Sequence, residues 1–269
     1  MLTIPTLPNL RDVGGFPAQD GASVRRGRLY RSVELNKLDD DGLAAFTTLG
    51  VRTVFDLRTS AEREAAPDRL PPGTQLVPLD VLADMTGAAP AQLGEVIEDP
   101  QRATEFLADG RGEQAMAGAY RNIVGLPSAL AAYRTLYTRL AGPEPGASDH
   151  AAVSERGPAL IHCTTGKDRT GWGAAALLTF LGVGEDDVFG DYLRTNDDLL
   201  PSFEPLFDRF RAAGGDPAIL IPLLGVREEY LRTALGEMTA RFGGIDGYFA
   251  DGLGLDDATL ARLRAAFLE

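Results

Sequence analysis

The sequence predicts an α/β domain with a helical C-terminal portion, and three observations point to it. Short apolar runs bounded by turn residues alternate with helical runs over the first two-thirds of the chain. One of them, "VRTVFDL" (51–57), is β-branched and apolar on both faces, as a strand inside a parallel sheet must be. From Glu185 onward only helical patterning continues, interrupted near Gly214–Pro217, Pro222–Gly225 and Gly243–Gly247. At 269 residues, with 44% hydrophobic and 24% charged content, the chain can bury a sizeable core and reads as one domain, 1–269.

The elements follow in order. "GRLYRS" (27–32) reads as a strand. "LDDDGLAAFTTLG" (38–50) is a helix, with acidic residues in its first turn and Gly50 past its end. Asp39, Asp40 and Asp41 suit a helix cap, not a calcium loop, whose later ligands are missing. After strand 51–57, the Pro-Pro-Gly turn at 71–73 leads into a strand at 74–80. Residues 83–112 read as short helices in an insertion, and one long helix is expected from Gln114 to Leu140. "AGPEPGASDHAAVSERG" (141–157) is a surface loop, followed by the strand "PALIH" and an alanine-rich helix reaching Gly182.

Composition excludes several classes. A net charge of −13 argues against general nucleic-acid binding, which needs a basic footprint. No apolar stretch reaches the ~18–20 residues of a membrane span, so no stable membrane insertion is expected. "MLTIPTLPNLRD" lacks the features of a secretory signal, which leaves a cytoplasmic location or secretion without a conventional signal peptide. One cysteine forms no internal disulfide, and two histidines with one cysteine make no zinc cluster, so neither metal nor cofactor is expected.

The chemistry concentrates in "GPALIHCTTGKDRTGWGAAALL" (157–178), where the one thiol sits between a strand and a helix. A loop entering a helix N-terminus can turn its amides inward and, with the helix dipole, make a socket for a phosphate dianion from Thr164, Thr165, Gly166, Lys167, Asp168 and Arg169. Arg169 can close it with a fork on two phosphate oxygens. The same positive surroundings favour the thiolate of Cys163, placed for in-line attack on phosphorus. Gly166 frees the turn of a Cβ, and Thr170 can give its hydroxyl to the thiolate. His162 is read as orienting the loop, Lys167 as a second cation at the rim, and Asp168 as a proton donor to the leaving oxygen. A lone C-x5-R is weak; the whole H-C-x-x-G-x-x-R-T-G between strand and helix is specific. It is no Walker loop, since Gly166-Lys167 is followed by aspartate.

"HCTTGKDRTG" resembles the signature of the atypical bacterial tyrosine and phosphoinositide phosphatases of the cysteine-dependent class. "NLRDVGG" (9–15), "GRLYRSVEL" (27–35), "VFDLRTSAER" (54–63), "DYLRTND" (191–197) and "GVREEYLRTAL" (225–235) look like that family's blocks in family order. The resemblance implies a tyrosine-phosphatase-like, mostly parallel sheet flanked by helices, and metal-free hydrolysis through a phosphocysteine intermediate. By position it implies Cys163 as nucleophile and Arg169 as phosphate binder. Lys167 and Asp168 match the pair that goes with phosphoinositide as well as phosphotyrosine substrates. Inorganic phosphate or vanadate is the expected loop ligand.

The acid is the departure. No Trp-Pro-Asp loop exists, and the one tryptophan, Trp172, follows the signature. Asp168 and Asp80, at a strand end in "VPLDVLAD", are the candidates, with Asp84 third; Asp80 reads equally well as a turn or helix cap. Arg11 and Asp12 are expected either to buttress the site or to form a plain turn. Arg58 and Glu62, four apart, read as a helix ion pair. Tyr192 and Asn196 share a helix face read as packing behind the signature helix, with a substrate contact as the alternative. The apolar segment 197–231, with Leu199, Leu200, Phe203, Leu206, Phe207 and Phe210 at near-helical spacing, is either a helical pair completing the core or a lid over the site. The expected activity is phosphotyrosine hydrolysis, extending to phosphoserine/threonine and phosphoinositides. The alternatives are a phosphoinositide or small-molecule phosphomonoesterase with little protein activity, and a catalytically dead phosphate-binding module.

Overall fold

The computed structural model describes residues 3–85, 99–143 and 157–269. Five strands make one sheet in the order β1-β2-β5-β3-β4. They are β1 (Arg11–Asp12), β2 (Leu29–Ser32), β3 (Thr53–Asp56), β4 (Gln75–Pro78) and β5 (Ala159–His162). The last four run parallel, and β1 is an antiparallel edge on β2. β2 to β5 lie within the expected strands. β1 does not, because two residues carry no periodicity; it forms where Arg11 and Asp12 meet Arg31 and Tyr30.

β3 and β5 are buried along their whole length, which explains their unbroken apolar character. Successive side chains face opposite layers: Phe55 and Ile161 join the larger core, while Val54 and Leu160 pack with Leu35 and Phe46 on the other side. Helices cover both faces. α1 (Asp40–Thr47) is capped by Asp39, whose carboxylate accepts from the Gly42 amide at 2.7 Å. α2 (Ser60–Ala65) opens with a capping box between Thr59 and Glu62.

α3 (Pro100–Leu107), α4 (Arg111–Gly125) and α5 (Pro127–Ala141) follow. The single helix expected over 114–140 is therefore two. Proline has no N–H to donate and pushes the residue before it out of the helical region, so Leu126 takes φ −64° and ψ 144° and Pro127 starts α5 afresh. Of the insertion expected at 83–112, residues 99–112 hold α3 and the start of α4; 86–98 lie outside the described residues, as do 144–156 of the expected loop.

α6 (Arg169–Phe180), α7 (Glu185–Leu199), α8 (Glu204–Ala212), α9 (Ile221–Leu224), α10 (Glu228–Phe242) and α11 (Asp257–Phe267) complete the chain, helical as expected. Phe207, Phe210, Leu220, Leu223 and Leu224 pack with Ala103 and Leu107 of α3 in a third cluster, joined to the two sheet cores through the half-buried Met116 and Phe203. Among the described residues no helix is long and apolar enough to cross a membrane.

Register sets the site. Ser32, His162 and Asp56 pair side by side at the carboxyl ends of β2, β5 and β3, so three connecting loops emerge at one edge of the sheet. Ligand crevices of parallel sheets form at that edge.

Candidate active site

Cys163 leaves β5 buried and disulfide-free. The chain then turns tightly through Gly166, at φ +67°. A Cβ there would stand 2.2 Å from the Ser32 carbonyl oxygen, so the loop is pressed against β2 and the position needs glycine. Arg169 begins α6, which aims the first-turn amides of that helix at the loop. No acceptor among the described residues takes the amides of Thr164 to Asp168. Buried amides need partners, so a loop shaped this way is a ready anion socket.

The arginine is clamped from outside. Nη1 donates to Glu62 Oε2 at 2.6 Å and Nη2 to Glu62 Oε1 at 2.7 Å, and Thr164 Oγ1 donates to the same Oε1 at 2.5 Å. Burial alone would push the Glu62 carboxyl up, but the Arg169 bonds, the Arg169 charge and the Thr164 hydroxyl outweigh it and hold it at about 2. The second N–H groups of these nitrogens reach the Leu57 carbonyl and Thr164 Oγ1, both at 3.3 Å, so the fork expected to face the phosphate is turned onto Glu62 and its neighbours, and a ligand must take Nε–H or displace one of these bonds.

Glu62 does not pair with Arg58, as the i,i+4 spacing suggests. Arg58 turns inward instead, to Asp56 at 2.9 Å, Asp68 at 2.8 Å and Glu34 at 3.0 Å. His162 lies fully buried beside this group, with Nδ1 3.1 Å from the Cys163 carbonyl and Nε2 3.2 Å from Asp68. Asp56, Asp68 and His162 are close enough to share a metal ion, but the Arg58 guanidinium already supplies the cation there.

Lys167 is buried rather than free at the rim, and its ammonium contacts both Asp168 oxygens, at 3.0 and 2.9 Å. Tyr120 of α4 donates to Asp168 Oδ1 at 2.8 Å and shares a 2.6 Å hydroxyl contact with Tyr192 of α7. The Thr170 hydroxyl is buried without a partner. Asp80 lies elsewhere in the hydrogen-bond network: its carboxylate accepts from the amides of Ser60 and Leu82, both at 3.1 Å, capping the start of α2. Asp84 caps α5 through the Ser128 amide at 2.6 Å.

Arg11 reaches α7, as a buttress does, whereas Asp12 makes a turn by accepting from the amides of Gly14 and Gly27. Tyr192 faces the site through Tyr120, and Asn196 instead ties α7 to both backbone groups of Val226. Trp172 is core, donating to the Tyr248 hydroxyl at 3.1 Å. A groove of about 550 Å³ runs from Thr164 and Thr165 between Lys37 and the α8 side, where Phe203, Leu206 and Arg209 line it.

Glu62, Tyr120, Arg31 and Asn9 also touch the loop or its side chains, and sequence spacing gives them no such role. Only Glu62 had a local signal, the Thr59-x-x-Glu62 capping box, and that speaks of a helix start.

The profile of the tyrosine phosphatase family matches residues 2–269. The triple specificity protein phosphatase PtpB of Mycobacterium tuberculosis is 32% identical over 298 residues, covering 98% of each chain. A Cupriavidus necator protein assigned by name to the tyrosine-protein phosphatases is 30% identical, over 99% of this chain and 88% of that relative. A tyrosine-protein phosphatase of Nostoc commune is 28% identical over 65% of this chain and 51% of its own length.

Proposed function

The chain belongs to the tyrosine phosphatase family and is a cysteine-dependent phosphatase, and on that premise we propose that it hydrolyses phosphotyrosine through a phosphocysteine intermediate held in the 163–169 loop. The observation that carries this reading is the only thiol in the chain lying at the mouth of a strand-to-helix loop whose amides have no protein acceptor among the described residues, beside an arginine fixed by Glu62.

Cys163 Sγ attacks phosphorus in line with the ester oxygen; the P–O bond breaks as the S–P bond forms, and Asp168 gives its proton to the departing oxygen. Water then attacks phosphorus, Asp168 takes a proton back, and inorganic phosphate leaves with the thiolate restored. Arg169 and the loop amides hold the equatorial oxygens, where charge is spread in the transition state. The buried Thr170 hydroxyl is the donor we assign to the thiolate, and His162 holds the Cys163 carbonyl. Asp168 is favoured over Asp80 as the acid because it belongs to the loop itself, at the start of α6, whereas the Asp80 carboxylate caps the start of α2.

A second reading extends the substrates to phosphoinositides. It rests on the groove beside Thr164 and Thr165, which sets the cations Lys37 and Arg209 against apolar Leu199, Phe203 and Leu206. PtpB carries triple specificity in its name, in keeping with a broad site. Of the segment 197–231 we further assign only the middle, around α8 and α9, as a lid: α8 borders this groove, whereas Leu199, Val226, Tyr230 and Leu231 at the ends are buried in the sheet cores. Turnover of p-nitrophenyl phosphate in EDTA tests the enzyme reading. Steady metal-independent release of phosphate supports it; binding of vanadate with no turnover makes the chain a recognition module. Comparing phosphotyrosyl peptides with mono- and polyphosphorylated inositides then ranks the substrates.

A further inference from the structure

The blocks "NLRD", "YRS" and "DYLRTND" converge behind the loop in a buried network. Arg31 on β2 is fully buried. Its Nη2 donates to the Gly166 carbonyl at 2.8 Å and its Nη1 to Asp191 Oδ2 at 2.7 Å. Asn9, held at φ +62°, donates to the same carbonyl at 3.1 Å and to that of Thr165 at 3.3 Å. Its own side-chain oxygen accepts from Arg11 Nη1. Arg11 completes the set, with Nε on Asp191 Oδ1 at 2.6 Å and Nη2 on the Asp191 carbonyl at 2.7 Å. Two buried guanidiniums therefore share one buried carboxylate on α7, with the more exposed Asp198 3.5 Å from Arg11. Burial and the Arg31 charge press the Arg11 guanidinium down to about 10, while burial is outweighed at Asp191 by both arginine charges, which keep it ionised.

The four carbonyls from Cys163 to Gly166 are all taken. Cys163 O faces His162 Nδ1, Thr164 O accepts from the Glu34 amide at 3.1 Å, Thr165 O from Asn9, and Gly166 O from Arg31 and Asn9. Carbonyl and amide of one peptide unit point opposite ways, so carbonyls anchored outward turn the following amides inward. Arg31 is the permanently charged donor in this set. A charge-assisted bond to a peptide oxygen also strengthens the N–H across the same peptide unit as a donor, here that of Lys167.

We propose that Arg31, anchored by Asp191, is a positioning residue for the phosphate socket: through the Gly166 carbonyl it fixes and polarises the Gly166–Lys167 peptide toward the bound phosphoryl group. The role rests on the loop binding phosphate, as argued above. It gives "DYLRTND" a task, because Asp191 is the link by which α7 sets the loop.

Arg31→Met, Arg31→Lys, Asn9→Ala and Asp191→Asn are compared with the wild type for inhibition by orthovanadate and for the pH profile of Cys163 alkylation by iodoacetamide, with thermal melting as a control for folding. Arg31→Met is expected to weaken vanadate by about tenfold or more and to slow alkylation at low pH, as removing a charged hydrogen bond does. Arg31→Lys should recover part of both losses, and Asn9→Ala should lose less than Arg31→Met because its donor is neutral. A folded Arg31→Met with vanadate affinity and alkylation profile within about twofold of wild type overturns the proposal. If Arg31→Met does not fold, Asp191→Asn decides by the same two readouts, and wild-type behaviour there overturns it equally. A wild type that itself fails to bind vanadate would instead overturn the reading of the loop.

Discussion

Glu62 grips Arg169 through both terminal nitrogens, at 2.6 and 2.7 Å, across 107 residues of sequence and between the first turns of α2 and α6. One carboxylate therefore fixes the arginine we assign to phosphate and, through Thr59, starts α2. Glu62→Gln should lower kcat/KM by roughly 10²-fold through misplacement of the guanidinium. The pH dependence has a definite sign. The Glu62 carboxyl is held at about 2 against an ordinary 4.5, so its contribution to stability is complete above about pH 4.5 and drains away as pH falls toward 2. Chemical denaturation from pH 7 to 2.5 should show a gap between wild type and Glu62→Gln that closes over that window. A gap independent of pH would contradict the assignment.

The acid is distinguished by leaving group. Asp168→Asn should slow alkyl phosphates by about 10²–10⁴-fold and p-nitrophenyl phosphate far less, because only a poor leaving group needs the proton. Tyr120→Phe removes one of the bonds that hold this carboxylate and should show the same pattern at about tenfold. Asp80→Asn should affect all leaving groups alike, through α2. A leaving-group dependence that follows Asp80 instead would move the acid there.

The segment 197–231 offers a third test. Phe207 and Phe210 lie in a third cluster that meets the sheet cores only through the half-buried Met116 and Phe203, so Phe207→Asp with Phe210→Asp should leave a folded domain, checked by thermal melting. Loosening a lid should speed inactivation of Cys163 by peroxide, which carries an accessible thiolate to sulfinic and sulfonic acid with no second cysteine to intervene. It should also change KM for bulky substrates. Unchanged peroxide sensitivity would make the segment a fixed part of the fold.

Local patterns carried much of this. Strand β5, the loop and α6 are contiguous, so "PALIHCTTGKDRTGWG" displays the thiol, the turn glycine and the arginine together. The apolar runs of β3 and β5 and the acidic cap of α1 were legible for the same reason. What sequence missed depends on tertiary neighbours. Arg58 and Glu62 look like partners at i,i+4, yet the sheet brings Asp56, Asp68 and Glu34 to one and Arg169 to the other. Tyr120 meets Asp168 only because α4 packs near α6, and Arg31 meets Gly166 only because β2 pairs with β5. The break at Leu126–Pro127 was readable, since proline starts helices far better than it continues them.

The central claim is that Cys163 carries the phosphoryl group during turnover. The direct measurement is rapid acid quench of the enzyme with p-nitrophenyl phosphate in EDTA, followed by intact-mass and peptide mass spectrometry, on the wild type and on Cys163→Ser. The account predicts one added phosphoryl group on wild-type Cys163, and no turnover by Cys163→Ser although it still binds vanadate. Sustained turnover by Cys163→Ser, or a phosphoryl group trapped on another residue, would contradict it.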